Sequence, residues 1–117
     1  MKIVNKPWGY EKWIALEDKY CLKEIFMKAG FKSSLQYHKV KDETNYTLKG
    51  KGILTCDGQG YSMTRGMSFH IFPNSVHRVE AVTDLTMIEA STPEVDDIIR
   101  IQDDFSRGDG RIESEHE

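Results

Sequence analysis

The sequence predicts an all-β fold of antiparallel strands. Three observations carry that reading. Apolar and polar residues alternate with a period of two in segment after segment. Turn residues interrupt the alternation about every 8–12 residues. No long segment carries the 3.6-residue period of a helix. Many short strands close into a sandwich or barrel, which hides edges that would otherwise pair with other chains. One domain is expected over residues 1–105, followed by a polar tail over 106–117.

The strands follow in order. Residues 8–16 are rich in aromatic and apolar side chains and end at Glu17-Asp18-Lys19. Residues 20–28 put Cys21, Lys23, Ile25 and Met27 on one face, with Leu22, Glu24, Phe26 and Lys28 on the other. Ala29-Gly30 breaks that strand. Residues 33–39 and 43–49 come next, and Gly50-Lys51-Gly52 turns the chain. Residues 53–56 and 61–64 form a hairpin around Asp57-Gly58, a pair that accepts the positive φ of a type I′ turn. Gln59-Gly60 leaves a longer loop open. Residues 67–72 end at Pro73-Asn74, and 76–82 and 85–91 flank a turn at Thr83-Asp84. Thr92-Pro93-Glu94 can start one helical turn. Residues 97–102 are a last strand or docking segment.

Composition narrows the function. The chain has 117 residues, 38% hydrophobic and 30% charged, as in a soluble globular domain. The net charge is −3 and no Lys/Arg stripe occurs, so nucleic acid is not the expected partner. No run nears the roughly 20 apolar residues of a membrane span. The first ten residues lack the apolar stretch of a signal peptide, so a cytoplasmic protein is expected. Cys21 and Cys56 form no C-x-x-C pair and are expected to be buried free thiols, with a disulfide between them left open.

Four residues suggest metal chemistry. Gln36 and His38 stand two apart on one strand and share a face. Glu43 opens the next strand, and His77 opens a later one just past Pro73-Asn74. Two imidazoles, a carboxylate and an amide oxygen suit zinc or another first-row divalent ion. The alternative from spacing alone is a strand Gln, a strand His and a surface Glu, all solvated.

Gly30 to Gly50 reads Gly-x5-Gln-x-His-x4-Glu-x6-Gly, which resembles the first cupin motif with Gln36 in place of its first His. Gly66 to Ala81 is similar to the second cupin motif, and His77 falls on its ligand His. Phe72, Asn74 and Ala81 depart from that motif's Pro, Gly and Asn. None of these removes a ligand, and Asn is the best non-glycine residue where φ is positive. Pro7-Trp8-Gly9-Tyr10, Ser34 to His38, Val76 to Glu80 and Asp96 to Asp104 resemble the C-terminal cupin domain of type II phosphomannose isomerases. In bifunctional members that domain follows a mannose-1-phosphate guanylyltransferase domain, which these 117 residues do not contain.

The resemblance implies a cupin-type double-stranded β-helix, a jelly-roll barrel. It implies one divalent ion per chain on Gln36, His38, Glu43 and His77, zinc first, with manganese, iron or nickel as alternatives. The implied reaction is aldose–ketose isomerisation of a sugar phosphate such as mannose 6-phosphate. Lys23 and Glu43 are the expected catalytic residues, Lys23 because a second group must move the proton. Asn45 and Thr47 share a face with Glu43 and are expected to line the cavity. Arg78 and Arg100 are the candidate substrate contacts, Arg100 through its match to phosphate oxygens, with a surface ion pair to a nearby aspartate as its alternative. His70 is read as structural. A homodimer is expected, with Trp8, Tyr10, Trp13 and Ile14 offering apolar surface. Two other functions fit the same scaffold: non-catalytic binding of a carbohydrate or other small ligand, and non-haem iron oxygenation.

Overall fold

A computed structural model describes residues 1–102 and 110–111. Its strands are β1 (Lys2–Lys6), β2 (Gly9–Leu16), β3 (Cys21–Met27), β4 (Leu35–Tyr37), β5 (Glu43–Lys49) and β6 (Gly52–Cys56). They continue with β7 (Gln59–Met63), β8 (Ser68–Ile71), β9 (His77–Ala81), β10 (Leu85–Ser91), β11 (Ile99–Gln102) and β12 (Gly110–Arg111). One six-stranded sheet runs β1-β2-β3-β10-β5-β8 and the other β12-β11-β4-β9-β6-β7. All described pairings are antiparallel. Among the described residues there is no helix, and so none long and apolar enough to cross a membrane. The double-stranded β-helix is as expected. The polar tail expected over 106–117 lies outside the described residues, apart from the backbone of Gly110–Arg111 on β11.

Alternation decides which side chains go inside. In β3, Cys21, Lys23, Ile25 and Met27 are buried and their neighbours are half-buried. The hydrophobic core gathers Trp8, Ile25, Leu54, Ile71, Leu85 and Met87, among others, between the two sheets. Each such fully buried side chain contributes roughly 1.5–3 kcal/mol. Cys21 and Cys56 are free thiols, as expected, but only Cys21 is buried and Cys56 is half-buried.

Some elements differ from expectation. β1 was not anticipated, because Ile3-Val4 between polar neighbours gives no alternation to read. β4 has three residues instead of seven. The Ser33 N–H goes to the Val79 carbonyl and the 39–41 N–H groups go to a side chain, so no ladder remains at either end. The helical turn at 92–94 is absent. Thr92 is tied to Asp42 through its N–H and its hydroxyl, and Val95 N–H bonds the Pro93 carbonyl, a closure too tight for a helix. The hairpin takes the two-residue turn, with φ of 49° at Asp57 and 83° at Gly58 and Cys56 opposite Gln59. Asn74 has φ 70°, the left-handed role expected of it. Trp8 and Trp13 are buried in this chain's own interior, so they offer no dimer surface. Tyr10 stacks on Phe26, and Ile14 alone of those four is exposed.

Gly50 turns the chain from β5 to β6 at φ 91°, and a Cβ there would lie 2.0 Å from the Asp84 carbonyl oxygen. Gly30 has φ 85° with nothing within 4 Å of such a Cβ. Gly30→Ala should therefore cost about 1–2 kcal/mol, the left-handed penalty alone. Gly50→Ala should cost more than about 3 kcal/mol, because displaced backbone adds to that strain. Urea denaturation of both variants checks this; equal losses would show that the Asp84 contact carries no energy.

Candidate metal centre

The barrel interior changes character along its length. From one end, β10 points Leu85 and Met87 inward, then Glu89 and Ser91. On β3 the same order reads Met27, Ile25, Lys23, Cys21, and on β9 it reads Ala81, Val79, His77. Register lines these changes up. Glu89 stands between Lys23 and Asn45, and Ser91 between Cys21 and Glu43. In the opposite sheet Gln36 stands between Arg100 and His77. Cross-strand neighbours share a face, so these side chains converge at one mouth.

His38, Glu43 and His77 meet there. One potential ligand atom from each lies within 4.8 Å of the others, and all three residues are buried. His38 Nε2 is 3.1 Å and His77 Nε2 3.8 Å from Glu43 Oε1. The His77 Nδ1–H donates to the Ser75 carbonyl at 2.9 Å, and the His38 Nδ1–H donates to the Asp97 carbonyl. A carbonyl can only accept, so each ring keeps a lone pair on Nε2. Burial lowers the His77 pKa, which Glu43 only partly opposes, and so favours its neutral, ligating form. Burial alone would raise the Glu43 carboxyl, but the Lys41 ammonium foremost outweighs it, and the carboxyl lies well below the ordinary range. His38 Nε2 and Glu43 Oε1 are both buried and neither has a hydrogen-bond partner despite their approach. A cation between two facing buried acceptors would satisfy both, and a divalent ion fits the donor set. Gln36 is half-buried beside them, its Oε1 accepting from the Ser34 hydroxyl at 2.8 Å.

A ring of charge surrounds the three. Lys41 Nζ lies 3.0 Å from Glu89, and both are buried. Burial would depress the Lys41 ammonium, yet Glu89 and Glu43 raise its pKa. Burial and then Glu43 raise the Glu89 pKa against the pull of Lys41 and Lys23. Glu11 accepts from Lys23 at 3.2 Å and from the Trp13 indole at 3.0 Å. Burial opposes ionisation of Glu11, but Lys23 and Lys6 prevail and lower its pKa to about 2. A small cavity of about 60 Å³ opens among Glu11, Gln36, Glu43, Asn45, His77 and Glu89.

The structure brings together Gln36, His38, Glu43, His77 and Asn45. Lys23 is buried under Glu11 and over the Trp13 ring, 4.6 Å from its centroid, and does not line the cavity. Thr47 is buried one step deeper, beside Met87. Arg100 is buried next to Gln36, so a surface ion pair is not its role. Arg78 points off the cavity face and its Nε–H donates to the Ser33 carbonyl. His70 is exposed and bonds Asp42, as a structural residue does. The sequence reading passed over Glu11, Lys41, Glu89 and Asp97. The first and third were findable, since alternation puts Glu11 with Trp13 and Glu89 with Met87 on inward faces.

Residues 1–103 match the family described as Mannose-6-phosphate isomerase C-terminal. Alginate biosynthesis protein AlgA of Pseudomonas aeruginosa is 30% identical over 109 residues, 89% of this chain and 23% of that protein. Mannose-1-phosphate guanylyltransferase RfbM of Salmonella typhimurium is 32% identical over 104 residues, 85% of this chain and 22% of that protein. The chain thus spans less than a quarter of the length of these relatives. Among solved structures, KdgF from Halomonas sp. superposes with a TM-score of 0.76 at 18% identity, covering 83% of this chain and 90% of that one. An RmlC-like cupin from Shewanella frigidimarina gives 0.75 at 20% identity, covering 82% and 86%. These likenesses establish the cupin fold.

The Glu11 shift sets a pH dependence. Its folded pKa of about 2 lies below the ordinary 4.5, so its contribution is complete above the latter and is lost as pH falls through the former. The loss should be on the order of 3 kcal/mol. Urea denaturation between pH 5 and 2 should show wild type declining more steeply than Glu11→Gln by that amount. Parallel declines would remove the Glu11–Lys23 pair from the stability account.

Proposed function

The chain belongs to the mannose-6-phosphate isomerase C-terminal family of cupins, and on that footing we propose that it is a metal-dependent sugar-phosphate isomerase. The observation that carries the metal reading is the unpartnered pair His38 Nε2 and Glu43 Oε1, 3.1 Å apart and buried. His38, Glu43 and His77 hold one divalent ion, and Gln36 supplies an amide oxygen. The donor set favours zinc, with manganese, iron and nickel as alternatives. Bound there, the ion supplies Lewis-acid polarisation of substrate oxygens.

The chain's own residues do the rest. Glu89 lines the cavity with a raised pKa, so it takes over from Lys23 as the group that moves a proton between adjacent carbons. Glu11, kept anionic by Lys23 and Lys6, accepts hydrogen bonds from sugar hydroxyls. Asn45 adds an amide to the same wall. Arg100, buried beside Gln36, provides the cation for the phosphate.

A second reading is metal-dependent binding of a small ligand without turnover. The cavity size favours it: about 60 Å³ against the roughly 300 Å³ or more of ordinary ligand pockets. A hexose phosphate enters only if the mouth opens.

Elemental analysis of the purified chain should find about one transition-metal ion, and His77→Ala should lose it while keeping its fold by circular dichroism. Unchanged metal content in that variant would sink the site. The loaded wild type should then interconvert mannose 6-phosphate and fructose 6-phosphate, with Glu89→Gln lowering kcat by roughly 100-fold or more. Full metal occupancy without turnover would select the binding reading.

A further inference from the structure

Asp97 lies in the stretch between β10 and β11, far along the chain from the ligands it touches. Its main-chain carbonyl accepts the Nδ1–H of His38. Its carboxylate accepts three consecutive backbone N–H groups, from Lys39 at 3.1 Å, Val40 at 2.6 Å and Lys41 at 3.0 Å. Those three residues join His38 to the strand that opens with Glu43. One residue therefore holds the ring of one ligand and the backbone leading to the next. The other side of His38 is fixed as well, because the Asn74 N–H donates to the His38 carbonyl at 2.6 Å.

The two bonds differ in consequence. A carboxylate that nests three N–H groups shapes a loop, and any loop could be shaped so. A carbonyl on Nδ1 does more, because it selects the tautomer whose Nε2 is free to ligate. The carboxylate keeps that carbonyl in place against the ring. Beyond this anchor the stretch is held by Thr92 on Asp42 and by the short pairing of β11 with β4.

Resting on the metal reading above, we infer that Asp97 is a positioning residue of the metal centre, locking the His38 tautomer and coupling the docking of residues 93–102 to occupancy by the ion. Coupling is reciprocal, so the ion should tighten the segment as much as the docked segment tightens the ion.

Zinc titration, ¹⁵N NMR of the histidine rings and amide hydrogen exchange test this on wild type, Asp97→Ala, Asp97→Asn and His77→Ala. Asp97→Ala should bind zinc about 10- to 100-fold more weakly. Its metal-free His38 should lose the pure Nδ1–H signature of wild type. Asp97→Asn keeps one acceptor and should recover part of both, and it serves alone if the alanine variant does not fold. Zinc should slow exchange at 39–41 and 93–102 in wild type and not in Asp97→Ala. Wild-type zinc affinity and an unchanged His38 tautomer in the Asp97 variants would overturn the inference, while loss of zinc in His77→Ala would leave the site itself standing. Failure of wild type to bind zinc or any other first-row divalent ion would overturn both, and would be visible before any Asp97 variant is made.

Discussion

The buried Glu43 carboxylate is the constraint around which this barrel is arranged. It sits in a dry mouth with two imidazole nitrogens facing one of its oxygens. Both imidazoles have given their Nδ1–H away to carbonyls, so what they turn toward Glu43 is a lone pair. An anion facing two acceptors in low dielectric is costly unless positive charge is supplied. Lys41 supplies it from one side, through the sequence neighbourhood of Glu43 and a pair with Glu89. On the proposed reading, a metal ion supplies it from the other. The cost of the mouth is offset by the apolar half of the same interior, where Leu54, Ile71, Leu85 and Met87 are almost completely buried.

That arrangement explains why the charges come as linked pairs. Glu11 with Lys23 and Glu89 with Lys41 each put a carboxylate on one strand against an ammonium from another element. Removing one partner leaves the other buried and uncompensated, which costs far more than the pair is worth together. The pairs also divide labour. Two ammonium groups and an indole N–H fix Glu11 as an anion, whereas Glu89 is drawn both ways by Glu43 and Lys41. A carboxyl that is easily protonated and one that is not thus flank β3 in one sheet and line one small cavity, the usual division between a proton carrier and a fixed acceptor.

Much of this was legible in the sequence because strand alternation is a local rule. The spacing of Gln36, His38 and Glu43 places three donors near one strand end, and alternation on 20–28 correctly buries Lys23. What alternation cannot supply is the partner. Nothing local says that Lys23 meets Glu11 across the β2–β3 pairing, or that the carbonyl of Asp97 reaches His38. The Lys23 role changed for that reason: an interior lysine looks available until its carboxylate is found. Arg100 moved the other way, since a charged residue in an acidic stretch reads as surface until β11 is seen to lie against β4 beside Gln36. The shortness of β4 depends on hydrogen bonds to distant groups, which composition does not encode, whereas β1 pairs with its neighbour β2 but carries too little alternation to read.

The uneven strength of the ladders bears on how such a closed mouth can work. β10 pairs along its length with β3 and nearly as far with β5, and both carry the fixed part of the site, Glu43, Asn45 and Glu89. β4 meets β9 at the single pair Gln36–His77, next to the isolated Lys32–Glu80 bridge, and in the sheet β11 lies beyond β4. Ladder length thus divides the site, with the β4–β11 side held by the shorter pairings. That side carries Gln36, Arg100 and, just past β4, His38. On the proposed function, the residues that would meet a substrate lie on the shorter ladders, and Glu89, the proposed proton carrier, on the longer ones. A bound ion joins the two, since His38 and Gln36 come from one side and Glu43 from the other. On that reading, closing the mouth and completing the coordination set would be one event.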